Sequence, residues 1–179
     1  AAAAAEATKV GPASEEGNHI GPVVSQMQFD KIQNLIEVGI KQDDATLIAG
    51  GLGRPEGLNR GFYVRPTIFA DVDNTARINR EEIFGPVMTI MPFDTEEEAI
   101  AIANDTPYGL TNYVQCGDQE QRQRVARQLR SGMVETNSVG FGMGSPFGGY
   151  KQSGNGREGG IFGLHEFMEI KAVSCWEDA

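Results

Sequence analysis

This chain is poor in several residue types, and each scarcity excludes something. Only two of its 179 residues are cysteine and only two are histidine. Cys116 and Cys175 lie far apart with no CxxC spacing, which argues against a disulfide framework and fits free thiols in a reducing cytoplasm. Neither has a neighbouring histidine, so both read as buried or surface thiols and not as nucleophiles. His19 and His165 are isolated from other ligand types, so no metal site is expected. His19 reads as a solvated loop residue and His165 as a helix-edge residue. No apolar run approaches the ~18 residues of a membrane-spanning helix. Positive charge is also scarce: 15 Lys and Arg stand against 25 Asp and Glu, a formal net charge of −10. Such a surface repels nucleic acid and anionic membrane, and neither is expected as a partner. No Walker motif is present. The alanines Ala1 to Ala5 lack the basic flank and apolar core of a signal peptide. They read as the tail of a helix, or as residues whose side chains were never identified, in a chain that begins mid-element.

What the chain does have is a core. Forty per cent of its residues are hydrophobic, enough for one domain or a little more. Ala1 to Lys9 reads as the last turns of a helix stopped by Gly11 and Pro12. Ser25 offers an N-cap with Gln28 at capping-box spacing. Phe29, Ile32, Leu35 and Ile36 then recur at helical spacing, which predicts an amphipathic helix over 26–41. Short strands are expected at 46–49 and 67–69. From Val87 onward the pattern is regular: a strand over 87–93, a helix capped by Thr95 with Glu98, a strand over 110–116, a helix capped by Asp118 with Gln121, and a strand over 133–136. The fold class is therefore α/β, a mostly parallel sheet with helices on both faces. Glu96, Glu97 and Glu98 suit the first turn of their helix through the macrodipole. Arg122, Arg124, Arg127 and Arg130 read as a solvated helix face.

Two stretches carry the chemistry. The first is Arg80-Glu81-Glu82-Ile83-Phe84-Gly85-Pro86. Gly85 permits a turn and Pro86 directs the chain into the strand that follows. Glu82 and Phe84 are thereby left near the mouth of that strand. A carboxylate there can accept hydrogen bonds from two sugar hydroxyls, and a phenyl face can pack against a flat heterocycle. The plainer alternative is a helix end with solvated glutamates and a buried Phe. The second stretch, 138–160, is a glycine-rich loop holding Phe141, Phe147, Tyr150, Lys151, Arg157 and Glu158. Loops of this length inside a compact domain are usually functional or disordered, and aromatics among glycines suggest a shaped wall. It lacks the GxGxxG-then-helix context of a dinucleotide fingerprint, because Pro146 blocks a helix. A short helix near 161–166 follows, and then the alternating run Phe167 to Trp176 reads as a terminal strand extending outward, able to pair with a partner's sheet edge. No complete catalytic constellation is present in the residues themselves.

The order of motifs resembles the C-terminal part of the aldehyde dehydrogenase superfamily. The matching pieces are Lys9-Val10-Gly11, Gly21-Pro22-Val23-Val24-Ser25, Gly50-Gly51, Gly61-Phe62-Tyr63-Val64-Arg65-Pro66-Thr67, Glu81-Glu82-Ile83-Phe84-Gly85-Pro86-Val87, Ala103-Asn104-Asp105-Thr106-Pro107-Tyr108-Gly109-Leu110, Gly132-Met133-Val134-Glu135-Thr136-Asn137, Pro146-Phe147-Gly148-Gly149-Tyr150-Lys151-Gln152-Ser153-Gly154 and Gly156-Arg157-Glu158. The resemblance implies residues 1–166 as the C-terminal part of a catalytic domain and 167–179 as an oligomerisation strand, in a homodimer or homotetramer. It implies an NAD- or NADP-dependent oxidation of an aldehyde to a carboxylic acid through a cysteine thiohemiacetal and thioester. In it, Glu82 looks like the glutamate that binds the nicotinamide-side ribose, and Phe84 like the residue against the nicotinamide. Gln28 and Lys31 match contacts to the adenosine half of the cofactor. Phe141 and Phe147 look like substrate-tunnel aromatics, and Glu158 like a proton-relay glutamate. The family's nucleophilic cysteine, base glutamate, oxyanion asparagine and Rossmann half match nothing in this chain, whose length is roughly a third of a family member. The alternative expectation is a folded fragment or association module with no chemistry of its own.

Overall fold

The computed structural model describes residues 1–17 and 19–175. The chain forms two compact units, Ala1–Phe93 and Asp94–Ala179.

The first unit is built on one amphipathic helix. A short helix α1, Ala2–Ala7, comes first. Helix α2 spans Gln26–Lys41, as its spacing predicts, and Ser25 caps it by accepting from the Gln28 backbone N–H at 3.2 Å. Its apolar stripe, Phe29, Ile32, Leu35, Ile36 and Val38, is buried in one cluster with Val64, Phe69, Val72, Ile78 and Ile83. Burying each such side chain contributes about 1.5–3 kcal/mol. The accompanying sheet has the order β1-β2-β3, with β1 at Thr46–Ala49, β2 at Thr67–Ala70 and β3 at Val87–Thr89. β1 and β2 run antiparallel, with a register irregularity between Leu47 and Ala49. β2 and β3 run parallel, Thr67 opposite Val87. Helix α3, Arg77–Arg80, lies between β2 and β3 in the chain. The strand expected over 87–93 is shorter than its apolar run. Its bonding ends at Ile90, which donates to Phe69 O and accepts from Val72 N, and Pro92 then has no N–H to continue a ladder.

The second unit begins with α4, Glu96–Asn104, capped by Thr95. The Glu98 side chain accepts from Asp94 N at 2.7 Å, one residue ahead of the cap. Strand β4, Thr111–Val114, pairs in parallel with β5, Met133–Thr136, across α5, Gln119–Gln128, which Asp118 caps. Among the described residues β3 bonds to β2 and β4 bonds to β5, so the strands expected in one sheet are divided between two small ones. Periodicity marks a strand, but it does not say which edges meet. The arginines of α5 are not simply solvated. Arg124 makes a bidentate pair with Glu96 of α4, both contacts at 2.8 Å, and Arg122 donates to Cys116 O at 2.9 Å. Asn104 ties the ends of α4 and α5 together, donating to Gln128 O and accepting from Arg130 N. Lys151 closes the same end, its ammonium on Asn104 O and Thr106 O at 2.8 and 2.9 Å. A cation over the last carbonyls of a helix also suits the helix dipole.

A short helix α6, Gly160–His165, follows the glycine-rich loop. Residues 167–175 are exposed and form no strand within this chain. Trp176, the last residue of the expected terminal strand, lies outside the described residues.

Two measurements check this account. A Cβ added at Gly132 would stand 1.8 Å from Gly148 O, a backbone atom that cannot swing aside. Gly132→Ala should therefore destabilise by about 1–3 kcal/mol, as overpacking does, read from urea midpoints. The second concerns Glu96. Hydrogen bonds from Arg124 first, then Gln121, hold its carboxyl below the ordinary 4.5. A carboxyl lowered on folding stabilises above its unfolded pKa, and the gain is lost as pH falls through the folded value. Arg124→Gln should be less stable than wild type at pH 7, with the gap closing in acid. A gap that widens below about pH 4 would contradict the pair.

Candidate functional site

The segment between α3 and β3 is held at both ends. Glu81 turns back onto α3, where Arg77 Nε reaches Glu81 Oε1 at 2.5 Å. That bond, with the nearby charges of Arg77 and Lys31, lowers the Glu81 carboxyl below its usual range, against a smaller upward push from desolvation. At the other end Pro86 O accepts from Thr67 N at 2.9 Å and starts the β2–β3 ladder. Between these anchors the residues alternate. Ile83 is buried in the core, while Glu82 and Phe84 are exposed, Phe84 by 69 %. The plainer reading of a buried Phe84 is thus corrected, because Ile83 fills that place.

The turn itself is made by Phe84, not by Gly85. Phe84 has φ +58°, a left-handed conformation that a bulky residue rarely adopts. Gly85 serves a different need. A Cβ there would meet Ile32 Cδ1 at 2.5 Å, so the missing side chain lets the loop lie close against α2. The Glu82 carboxylate takes no hydrogen bond or ion pair among the described residues, and Phe84 presents its ring to solvent. An unengaged carboxylate and an open aromatic two residues apart are suited to a diol joined to a flat ring.

Gln28 and Lys31 both approach this loop. Gln28 Nε2 donates to Ile83 O at 2.9 Å and to Phe84 O at 3.1 Å. Lys31 Nζ donates to Glu82 O at 2.6 Å. The capping box expected at the start of α2 is therefore half made. The backbone N–H of Gln28 bonds Ser25, but its side chain crosses to the loop. A cavity of about 390 Å³ adjoins Gly85, Pro86, Val87 and Met88 on one side and alanines of α1 on the other. Neither Glu82 nor Phe84 lines it.

The remaining candidates belong to the second unit. Phe147 and Glu158 exchange two backbone hydrogen bonds of 2.7 Å in an antiparallel bridge, which fixes their side chains next to one another along the loop. Arg157 secures the bridge: its Nη1 donates to Gly149 O, Asn155 O and Gly156 O, and its guanidinium lies 5.5 Å from the Tyr150 ring centre. Lys151 and Arg157 are named in the sequence as members of this loop but without a role, although cations in a glycine-rich loop are a signal that backbone carbonyls need donors. Phe141, 47 % exposed, lies further back in the loop. His19 is not simply solvated, since its Nε2 lies 3.0 Å from Pro12 O. The described residues contain no cluster of three or more His, Cys, Asp or Glu able to hold a metal. No described helix is long and apolar enough to cross a membrane.

The family model described as Aldehyde dehydrogenase family matches residues 1–173. The chain belongs to the aldehyde dehydrogenase family. A 3-succinoylsemialdehyde-pyridine dehydrogenase of a Pseudomonas species is 52 % identical over 168 residues, 94 % of this chain and 35 % of that protein. The crystal structure of an aldehyde dehydrogenase from Bartonella henselae superposes with a TM-score of 0.94 at 57 % identity, over 97 % of this chain and 36 % of that one. A variant of aldehyde dehydrogenase C from Pseudomonas syringae, complexed with NAD+ and octanal, gives 0.92 at 46 % identity over 96 % and 35 %. The chain thus spans about a third of the length of the family members it matches.

The exposure of Phe84 yields a test of whether its side chain serves the fold. Phe84→Ala should shift stability by no more than about 0.5 kcal/mol, as surface changes do. Phe84→Gly should be no less stable than Phe84→Ala, because glycine adopts positive φ freely. Thermal unfolding of the three proteins decides it, and a loss typical of a core aromatic, about 3–5 kcal/mol, would place the ring in the interior.

Proposed function

We propose that this chain is the C-terminal part of an NAD- or NADP-dependent aldehyde dehydrogenase that oxidises an aldehyde to a carboxylic acid. The observation that carries the reading is the loop at 82–84, which holds a carboxylate and a phenyl ring outside the fold at the mouth of a parallel strand. Family membership and relatives in complex with NAD+ support it. The cofactor, when bound, supplies a hydride acceptor. The Glu82 carboxylate accepts hydrogen bonds from the two hydroxyls of the nicotinamide-side ribose, and the Phe84 ring packs against the nicotinamide. Together they restrict where the acceptor carbon can stand, and orientation of this kind is a large part of catalysis. In the second unit Phe141 and Phe147 form an apolar wall for the aldehyde chain. Glu158, fixed through its backbone to Phe147, passes a proton during hydrolysis of the thioester. The nucleophile, the base and the oxyanion donors come from other residues of the whole protein.

Residues 167–179, of which 167–175 are described and exposed, serve as an oligomerisation strand that adds to a partner's sheet edge in a homodimer or homotetramer. The free thiols at Cys116 and Cys175 suit a cytoplasmic protein.

The test uses the whole protein. It should form NAD(P)H in the presence of an aldehyde under reducing conditions, and failure with a broad aldehyde panel counts against the reading. Glu82→Gln should lower kcat/KM about tenfold or more, which is about 1.4 kcal/mol of lost transition-state stabilisation. Its melting temperature should stay near the wild-type value, because the side chain is exposed. A variant that keeps its rate but loses its melting temperature would overturn the ribose assignment.

A further inference from the structure

We propose that Asn155–Gly156 is a site of spontaneous covalent modification, at which the Gly156 backbone nitrogen displaces the Asn155 side-chain amide. Asn155 is the chain's one asparagine followed by glycine. Glycine has no Cβ to hinder its own nitrogen, which leaves such pairs open to this attack. The fold does nothing to close it. Both residues are exposed and lie outside any helix or strand. Among the described residues the Asn155 side chain makes no hydrogen bond, and the Gly156 N–H reaches no acceptor. Arg157 adds a push. Its Nη1 donates to Asn155 O at 3.1 Å and to Gly156 O at 2.9 Å. Asn155 O belongs to the same peptide group as the Gly156 nitrogen. When that nitrogen loses its proton, negative charge spreads onto this oxygen, where a permanently charged guanidinium meets it. A donor already aimed at developing charge speeds a reaction.

The reaction needs no reagent but water. The Gly156 N–H gives its proton to solvent, the nitrogen bonds to Asn155 Cγ, and the Cγ–Nδ2 bond breaks with loss of ammonia. Water then opens the resulting cyclic imide at either carbonyl. Opening at Cγ leaves aspartate. Opening at the backbone carbonyl carries the chain through Cβ and Cγ as isoaspartate. Nothing is oxidised or reduced. Asn137, followed by serine, is the contrasting case. Its Oδ1 accepts from Cys116 N at 2.9 Å and its Nδ2 donates to Cys116 O at 3.0 Å, so its amide is held at both atoms.

Either product places a new carboxylate beside Arg157, which now bonds Gly149 O as well as Asn155 O and Gly156 O. A carboxylate binds a guanidinium more strongly than neutral carbonyls do, and it competes for this clamp. Isoaspartate also adds a methylene to the backbone ahead of Glu158, whose N–H and carbonyl are both bonded to Phe147. Modification therefore loosens the bridge that carries Phe147 and Glu158. Its effect on activity rests on the roles proposed for those two residues, whereas the modification itself does not.

The first test requires no activity. The whole protein is incubated in mildly alkaline buffer and mapped by peptide mass spectrometry. The mass change of amide to acid should accumulate at Asn155 ahead of Asn137, and faster than in mildly acidic buffer. The product should accept methyl groups from an isoaspartyl methyltransferase. Gly156→Ala should slow the change about tenfold or more, a barrier about 1.4 kcal/mol higher. That variant keeps the fold, since a Cβ at Gly156 meets nothing within 4 Å and its φ lies outside the left-handed region. Arg157→Gln should slow the change too, and an unchanged or faster rate would remove Arg157 from the reaction. An Asn155 that stays intact, or a Gly156→Ala that converts at the wild-type rate, overturns the proposal.

The second test follows kcat/KM for an aldehyde as the same samples age. The wild-type value should fall in proportion to the isoaspartate fraction, while aged Gly156→Ala keeps its starting rate. Conversion at Asn155 without loss of rate would overturn the consequence for Phe147 and Glu158. Absence of any NAD(P)-linked turnover would sink the proposed function alone, leaving the peptide map to decide the modification.

Discussion

The arrangement depends on backbone carbonyls that have no backbone partner among the described residues. At 82–84 the chain leaves helix α3 and has not yet joined strand β3, so its carbonyls must be satisfied from elsewhere. Helix α2 does this with one amide and one ammonium. It can reach because its own apolar stripe is packed into the core, and Ile83 enters the same core between the two exposed residues. Burial of Ile83 and satisfaction of the carbonyls are one event. Together they leave the side chains of Glu82 and Phe84 outside the core while the backbone between them is held.

The same device recurs elsewhere in the chain. Lys151 bonds the carbonyls at the end of α4, and Arg157 bonds three carbonyls of the glycine-rich loop. Arg54 donates to Gly61 O, Arg65 to Arg54 O and Arg122 to Cys116 O. Cations are the minority charge in this acidic chain, yet many are turned inward onto irregular backbone. Each presents several N–H donors and no acceptor, which suits loops whose N–H groups are few or misdirected. The net negative charge is therefore a poor guide to what the individual cations do.

Much of the fold is legible in the sequence because it depends on neighbours in the chain. The bounds of α2 follow from Ser25 and from the spacing of Phe29, Ile32, Leu35 and Ile36. Thr95 and Asp118 mark their helices for the same reason, since a cap bonds a backbone N–H three residues away. The 87–93 strand was less legible, because its apolar run continues past the point where Pro92 ends the ladder. The division of the strands into two small sheets was not legible at all, since strand pairing is a matter of edges meeting at long range. In the site, Glu82 and Phe84 stood out by residue type and by the glycine and proline that follow them. The roles of Gln28, Lys31, Arg157 and Lys151 did not, because a polar side chain on a helix or in a loop looks the same whether it meets water or a distant carbonyl.

The sequence by itself determined where helices begin, which residues enter the core and which family the chain resembles, since those depend on residue type at short spacing. Only the tertiary structure decided that Phe84, and not Gly85, takes the left-handed turn, that Gly85 is there for Ile32, and that Gln28 spends its amide across the fold instead of at its own helix end. The physical reason is the same in each case. These outcomes depend on which atoms lie opposite one another after some fifty residues of chain have returned to the same place, and no local pattern records that distance.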